Sequence, residues 1–277
     1  MKPSLQAFFL VAAVFFSIYA TNRKMPETTS SEFYNPVLAS SVGESGAYSP
    51  DTRNEENIPG GIAMPELKIN TALAKESLGN TVFFRLRPEE RWPLASLTKL
   101  MTAVIALENI PYNTERDDLI RRMMVISDNG AAETLADTLG LEQWLALMNA
   151  KAKTLAMHGT GFSDASGLSY LNQSTADDVD KLVRYILQKH PEIFEWSRIP
   201  SVTVNGKTVP NINEFAGHPD FLGGKTGFTD EASGNLVTIW RTSRGPITII
   251  VLGTPDKSER FIQTEKLFAW LSQRFRL

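Results

Sequence analysis

The chain has 277 residues, 42% of them apolar and 21% charged, enough to bury one large core or two small ones. Its 28 Lys and Arg against 31 Asp and Glu give a net charge of −3, so no basic field exists for bulk binding of nucleic acid. Cysteine is absent, which excludes disulfides, thiolate metal sites and a Cys nucleophile, and the three histidines (His158, His190, His218) show no metal-ligand spacing.

Lys2 precedes an apolar run from Leu5 to Ala20, and Arg23 and Lys24 follow it. Sixteen helical residues span about 24 Å, a little short of a ~30 Å hydrocarbon core. Residues 1–24 therefore read either as a signal peptide cleaved after Ile18-Tyr19-Ala20 or as an uncleaved signal-anchor. Either would carry the rest of the chain out of the cytoplasm. Residues 25–59 are rich in Ser, Thr, Pro, Gly, Asn and Glu without an apolar period, which predicts a flexible linker. The folded domain is expected over 60–277.

Thr71–Leu86 predicts two short strands about the turn cluster Leu78-Gly79-Asn80. Pro93 precedes an apolar helical stretch from about Ser96 to Asn109. Thr114-Glu115-Arg116-Asp117 is a capping-box-like start for a helix to about Ile126. Further helices are expected from near Gly130 to near Gly140, from about Leu141 to Ala156, and from Ser174–Asp178 to a point before Pro191. Asn205-Gly206 marks a hairpin turn within Ser201–Val209. Three strands follow, Phe221–Thr226, Asn235–Thr242 and Pro246–Leu252, and then an amphipathic helix, Arg260–Phe275. Strands at both ends joined by hairpins are antiparallel and exclude a doubly wound sheet. The expected fold class is α+β: an antiparallel sheet made from the two chain ends, an amino- and a carboxy-terminal helix packed on it, and a mostly helical lobe between. A cleft is expected where the lobe meets the sheet.

Three short motifs carry chemistry. In Ser96-Leu97-Thr98-Lys99 the hydroxyl and the amine share one face of a helix. A serine needs a base within hydrogen-bond reach, and Lys99 can be that base only with its pKa depressed by burial or a second cation. The plain alternative is a solvated lysine. In Ser127-Asp128-Asn129, Ser127 could relay a proton and Asn129 could bind a substrate amide; the alternative is a helix stop followed by a cap. In Lys225-Thr226-Gly227 the first two residues could hold a carboxylate, and Gly227 permits close backbone approach. The N–H groups of Phe228 and Ser96 are then candidate oxyanion donors. The alternative is an ordinary strand end.

The three triplets in this order are the signature of penicillin-binding proteins and class A β-lactamases. From about residue 68 to 275 the chain resembles the serine D-alanyl-D-alanine carboxypeptidase family, the low-molecular-mass penicillin-binding proteins. Pro93-Leu94-Ala95, FSDASGLSYLNQSTADD (162–178), GGKTGFTDEASGNLV (223–237) and Val251-Leu252-Gly253 followed by Arg260 carry the likeness. The resemblance implies a β-lactamase/transpeptidase-like fold and no metal or organic cofactor. It implies that Ser96 attacks the penultimate D-Ala carbonyl of a peptidoglycan stem peptide, Lys99 takes its proton, and Ser127 protonates the departing D-Ala. Asn129 would orient the peptide; Lys225, Thr226 and Arg260 would bind its carboxylate. β-Lactams would acylate the same serine. For Arg260 the alternative is a surface charge.

Ser96 and Ser127 lie only 31 residues apart, where the family usually carries a longer insertion. The chain also ends after the last predicted helix, without the family's common carboxy-terminal β-rich domain, so an amino-terminal anchor is expected to supply the membrane tether. Three other functions compete: a DD-endopeptidase of the same family, a class A-like β-lactamase, and a catalytically silent wall-binding module. The stretch 159–173 contains no Glu to activate a deacylating water, and Asp164 there reads as a turn residue. Met123, Met124 and Met148 read as core, and Trp92 as packing.

Overall fold

In the run Ile247-Thr248-Ile249-Ile250-Val251-Leu252 every side chain is buried, which requires cover on both faces of the strand. A computed structural model of the chain, which describes residues 62–277, places this run inside a five-stranded sheet. Its strands are β1 (Thr71–Glu76), β2 (Val82–Leu86), β7 (Phe221–Thr229), β8 (Ser233–Trp240) and β9 (Ile247–Thr254). The order is β2-β1-β9-β8-β7, antiparallel throughout. The first strand thus pairs with the last, Thr71 opposite Leu252 and Ala72 opposite Val251. This is the sheet from two chain ends that the sequence predicts.

Period-two alternation divides the sheet's side chains between two cores. Ala72, Ala74, Ile249 and Val251 face α7 (Glu259–Phe275), which buries Leu267, Trp270 and Leu271 against them. Each of those large side chains contributes roughly 1.5–3 kcal/mol by leaving water. Leu73, Val237, Ile239, Ile250 and Leu252 join the core of the helical side. At the centre of that core is α1 (Thr98–Asn109), buried without a break from Thr98 to Ala106. A helix covered all round is a scaffold element rather than a surface one. Around it stand α2 (Thr114–Ile126), α3 (Asn129–Asp137), α4 (Leu141–Thr154) and α5 (Ala176–Lys189). Met123, Met124 and Met148 lie in this core, as expected.

Several local expectations are corrected. The cap of α2 is Asn113, not Thr114: Asn113 is extended, and its side chain accepts the Arg116 N–H at 2.7 Å. Thr114 is the first helical residue, because the stronger capping side chain precedes it. The residues described ahead of β1, 62–70, contain no helix, so the amino-terminal helix expected on the sheet is not found among the described residues. Pro65 interrupts that stretch, and Ile62, Met64 and Leu67 reach the α7 core without helix. Two elements escape the sequence reading. One is the pairing of β3 (Trp92–Pro93) with β4 (Gln173–Ser174), the other the five-residue α6 (Glu192–Trp196) after Pro191. Both are too short to show a period. The hairpin of β5 (Ser201–Val204) and β6 (Lys207–Pro210) forms as expected, with Asn205 and Gly206 at positive φ.

The signal peptide or anchor expected over 1–24, the linker expected over 25–59 and the start of the domain at 60 lie outside the described residues. Among the described residues no helix is long and apolar enough to cross a membrane.

Candidate active site

Ser96 precedes α1 instead of opening it. It lies in a 3-10 turn, Ala95–Leu97, whose first N–H bonded back is that of Leu97, onto Leu94 O at 3.2 Å. The Ser96 N–H comes before it and has no partner within the turn. Ala95 takes a positive φ of 47°, which costs a non-glycine residue roughly 1–2 kcal/mol. The turn is held from two sides. Leu94 N–H donates to Asn172 O at 2.8 Å, and Asn235 Nδ2 donates to Pro93 O at 2.8 Å and Leu94 O at 3.1 Å. Asn235 Oδ1 accepts the Gly253 N–H at 2.9 Å, so one buried carboxamide ties the turn to the centre of the sheet.

Lys99 follows one helical turn later and is fully buried. Its Nζ stands 3.0 Å from Ser96 Oγ and 2.7 Å from Asn129 Oδ1, and it donates to Ser166 O. Two of these partners, a carboxamide oxygen and a carbonyl, can only accept. A neutral amine satisfies both with its two N–H bonds and keeps its lone pair for the Ser96 hydroxyl. Burial pushes the Lys99 amine down from 10.5 to about 8, against the upward pull of the Asp164, Asp128 and Glu133 charges.

The Ser127-Asp128-Asn129 junction is a helix stop followed by a cap. Ser127 ends α2 in the left-handed region at φ 58°, and Asp128 caps α3 by accepting the Ala131 N–H. Arg122 pins the same carboxylate from α2 at 3.0 Å through its Nε. This tight corner turns Ser127 Oγ toward Lys225 Nζ, 2.9 Å away, and Asn129 Oδ1 toward Lys99. Lys225 also donates to Thr226 O at 2.8 Å, which leaves its ammonium form one N–H for a ligand. Burial first, then the Lys99 and Arg260 cations, hold Lys225 well below its ordinary value. Sequence alone leaves two causes open for a depressed lysine, burial or a second cation. Burial is the larger cause for both amines.

On β7, Gly224 N–H donates to Ser197 Oγ at 3.0 Å, away from β8. Strand alternation then points the N–H groups of Thr226 and Phe228 to the same open edge. Gly227 is where the turn that carries Ser96 meets this strand: a Cβ there would lie 2.8 Å from Leu94 O. Arg260, on the first turn of α7, is buried, so it is not a surface charge. Its Nη1 donates to Gly227 O at 2.9 Å, and its Nε has no partner among the described residues. Burial lowers this guanidinium to about 10, against the pull of Glu214.

The structure thus brings Ser96, Lys99 and Asn129 into contact and, separately, Ser127 and Lys225, the two groups being joined through the backbone of Ser127-Asp128-Asn129. Thr226, Gly227, Phe228 and Arg260 stand beside it on β7 and α7. Trp92 packs, as expected, donating its indole N–H to Ala232 O at 2.8 Å. Sequence reasoning missed Asn172, Asn235 and the Ser166 carbonyl. A signal for Asn235 existed: an asparagine inside an apolar strand run is disfavoured unless its amide has buried work. Among the described residues no group of three or more His, Asp or Glu side chains is arranged to hold a metal ion.

Residues 110–256 match the peptidase family described as D-alanyl-D-alanine carboxypeptidase, a stretch that begins after Ser96. A D-alanyl-D-alanine endopeptidase of Pseudomonas aeruginosa is 27% identical over 74% of this chain and 78% of its own length. D-alanyl-D-alanine carboxypeptidase DacD of Salmonella typhimurium is 34% identical over 57% of this chain and 42% of its own. The crystal structure of penicillin-binding protein D2 from Listeria monocytogenes in the cefotaxime-bound form superposes with a TM-score of 0.67 at 29% identity. That superposition covers 75% of this chain and 98% of that one.

Proposed function

The chain belongs to the D-alanyl-D-alanine carboxypeptidase family of serine peptidases, and from that premise we propose how its residues perform the reaction. The substrate is a peptidoglycan stem peptide ending in D-Ala-D-Ala, and β-lactams acylate the same serine. The observation that carries the assignment is the buried Lys99 amine between Ser96 Oγ and two oxygens that only accept.

Ser96 Oγ attacks the penultimate D-Ala carbonyl and its proton passes to the Lys99 lone pair. The N–H groups of Ser96 and Phe228 receive the oxyanion. As the C–N bond breaks, the terminal D-Ala amine takes the Ser127 hydroxyl proton, and Lys225, 2.9 Å behind, re-protonates Ser127. Asn129 keeps its Nδ2 for the peptide, since its Oδ1 holds Lys99. Lys225, Thr226 and Arg260 supply the cationic, hydrogen-bonding end for the substrate carboxylate. Water then hydrolyses the ester on Ser96: its proton returns through Ser127 to Lys225, and Lys99 gives its proton back to Ser96 Oγ, which restores both amines. The substrate lies outside the cytoplasm, which fits the leader or anchor read in residues 1–24.

A cross-link is also a D-alanyl amide, and the endopeptidase name of the Pseudomonas relative favours that second reading. A class A-like β-lactamase is disfavoured by Asp164, the one carboxylate of the stretch 159–173, whose two oxygens are taken by N–H groups of its own loop. The test is intact-mass measurement and fluorescent-penicillin labelling of the full chain, beside D-Ala release from a pentapeptide and cleavage of a cross-linked dimer. Wild type should carry one adduct on the peptide containing Ser96, and Ser96→Ala should lose both label and peptidase activity. Unchanged labelling of the Ala variant would refute the nucleophile.

A further inference from the structure

The mechanism leaves one carboxylate beside the general base without a task. Asp164 lies in the loop between α4 and β4. Its Oδ1 accepts the N–H groups of Ser166 at 2.8 Å and Gly167 at 2.5 Å, and its Oδ2 accepts the N–H of Ser169 at 2.6 Å. Asn172 Nδ2 donates to the same Oδ1 at 3.2 Å and to Thr98 Oγ1 at 3.1 Å, beside Lys99 in the chain. A carboxylate receiving several backbone N–H groups fixes the loop that supplies them. The carbonyl so fixed is Ser166 O, one of the two pure acceptors of the Lys99 amine. Gly167 presses the loop against the nucleophile's turn: it has φ +85°, and a Cβ there would lie 1.9 Å from Ala95 O.

We propose that Asp164 is a positioning residue for the general base: its carboxylate shapes loop 163–169 so that Ser166 O takes one Lys99 N–H and turns the amine's lone pair to Ser96. This rests on the assignment of Lys99 as the base. It gives Asp164 a second effect of opposite sense. Its negative charge favours the protonated amine, so it opposes the burial that frees the lone pair. The other charges acting on Lys99 are Asp128 and Glu133, from the cap and body of α3, with Lys225 of β7 next to it and Arg260 of α7 beyond. None of these is altered by a change at 164.

Asp164→Asn keeps an oxygen for Ser166, Gly167 and Asn172, loses the acceptor for Ser169, and removes the charge. The test is the acylation rate of the full chain by fluorescent penicillin from pH 5 to 10, for wild type, Asp164→Asn and Asp164→Ala, with thermal melts of each. For Asp164→Asn the acid limb should move down by roughly 0.5–1 pH unit, with a lower plateau. Asp164→Ala should lose about 10–100-fold at the plateau, since the base is misplaced. An acid limb that stays put or moves up in Asp164→Asn overturns the proposal, whatever the melts show. If Asp164→Ala fails to fold, the Asn profile alone decides. A wild type that takes no label removes the underlying assignment and this proposal with it; a labelled wild type with an unmoved limb removes this proposal alone.

Discussion

Replacing Lys99 by Met separates what the amine does for catalysis from what it costs the fold. The side chain is fully buried, and burial holds its amine at about 8 in place of 10.5. At about 1.36 kcal/mol per unit this is about 3 kcal/mol. The sign follows from proton linkage. Between about 8 and 10.5 the unfolded chain holds a proton on Lys99 that the folded chain has released, so the unfolding free energy rises with pH across that window. Below about 8 both states are protonated and the full cost is present. The Met variant lacks this proton. The stability of wild type relative to Lys99→Met should therefore climb by about 3 kcal/mol from pH 7 to 10.5. At pH 7 the variant's gain is opposed by Asn129 Oδ1 and Ser166 O, which lose their donor at about 1–3 kcal/mol each. The slope, not the offset, is the readout. Lys225 is depressed mainly by its own burial, so its contribution largely cancels between the two proteins. Urea unfolding at five or six pH values measures the climb. Penicillin acylation on the same samples should fall by about 10²–10⁴. Parallel stability curves would refute the buried, depressed amine, and undiminished acylation would refute its role as base.

Three further outcomes are expected. Gly227→Ala puts a Cβ 2.8 Å from Leu94 O and should cost about 1–3 kcal/mol in a thermal melt while slowing acylation, because the nucleophile's turn must move off β7. Arg260→Ala removes a buried charge from the carboxylate end. It should raise KM about tenfold or more for a stem peptide with a free carboxylate and little for its amide, worth about 1.5–3 kcal/mol; equal loss on both peptides would count against the assignment. Asn113→Ala deletes the 2.7 Å cap of α2, remote from the chemistry, and should cost about 1 kcal/mol in urea melts with unchanged labelling.

Much of the fold is legible in the chain because it is written in local periods. The apolar run of Ile247–Leu252, the Asn205-Gly206 turn and the apolar face of 260–275 each specify an element without reference to the rest. The errors fall where a choice depends on one neighbour. Asn113 outcompetes Thr114 as a cap because it adopts the extended backbone the cap needs. Ser96 leaves the helix for a 3-10 turn because Asn235 and Asn172 hold the chain on either side of it. The second case leaves the chemistry intact, since the Ser96 N–H precedes the first bonded N–H of the turn just as it would at the start of a helix.

The sequence by itself singled out the candidate groups. Ser96 and Lys99 are three residues apart, and any helical geometry brings a hydroxyl and an amine so spaced onto one face. It also named Ser127, Asn129 and Lys225, through a likeness carried by short motifs. Only the tertiary structure decided the state of those groups. Whether Lys99 is a base or a solvated cation depends on burial, and burial is a sum over neighbours from α1, α3 and the loop of residues 163–169. The 2.9 Å contact between Lys225 and Ser127 joins residues 98 apart in sequence. No local period encodes it; it exists because the sheet and the helical lobe close on one another.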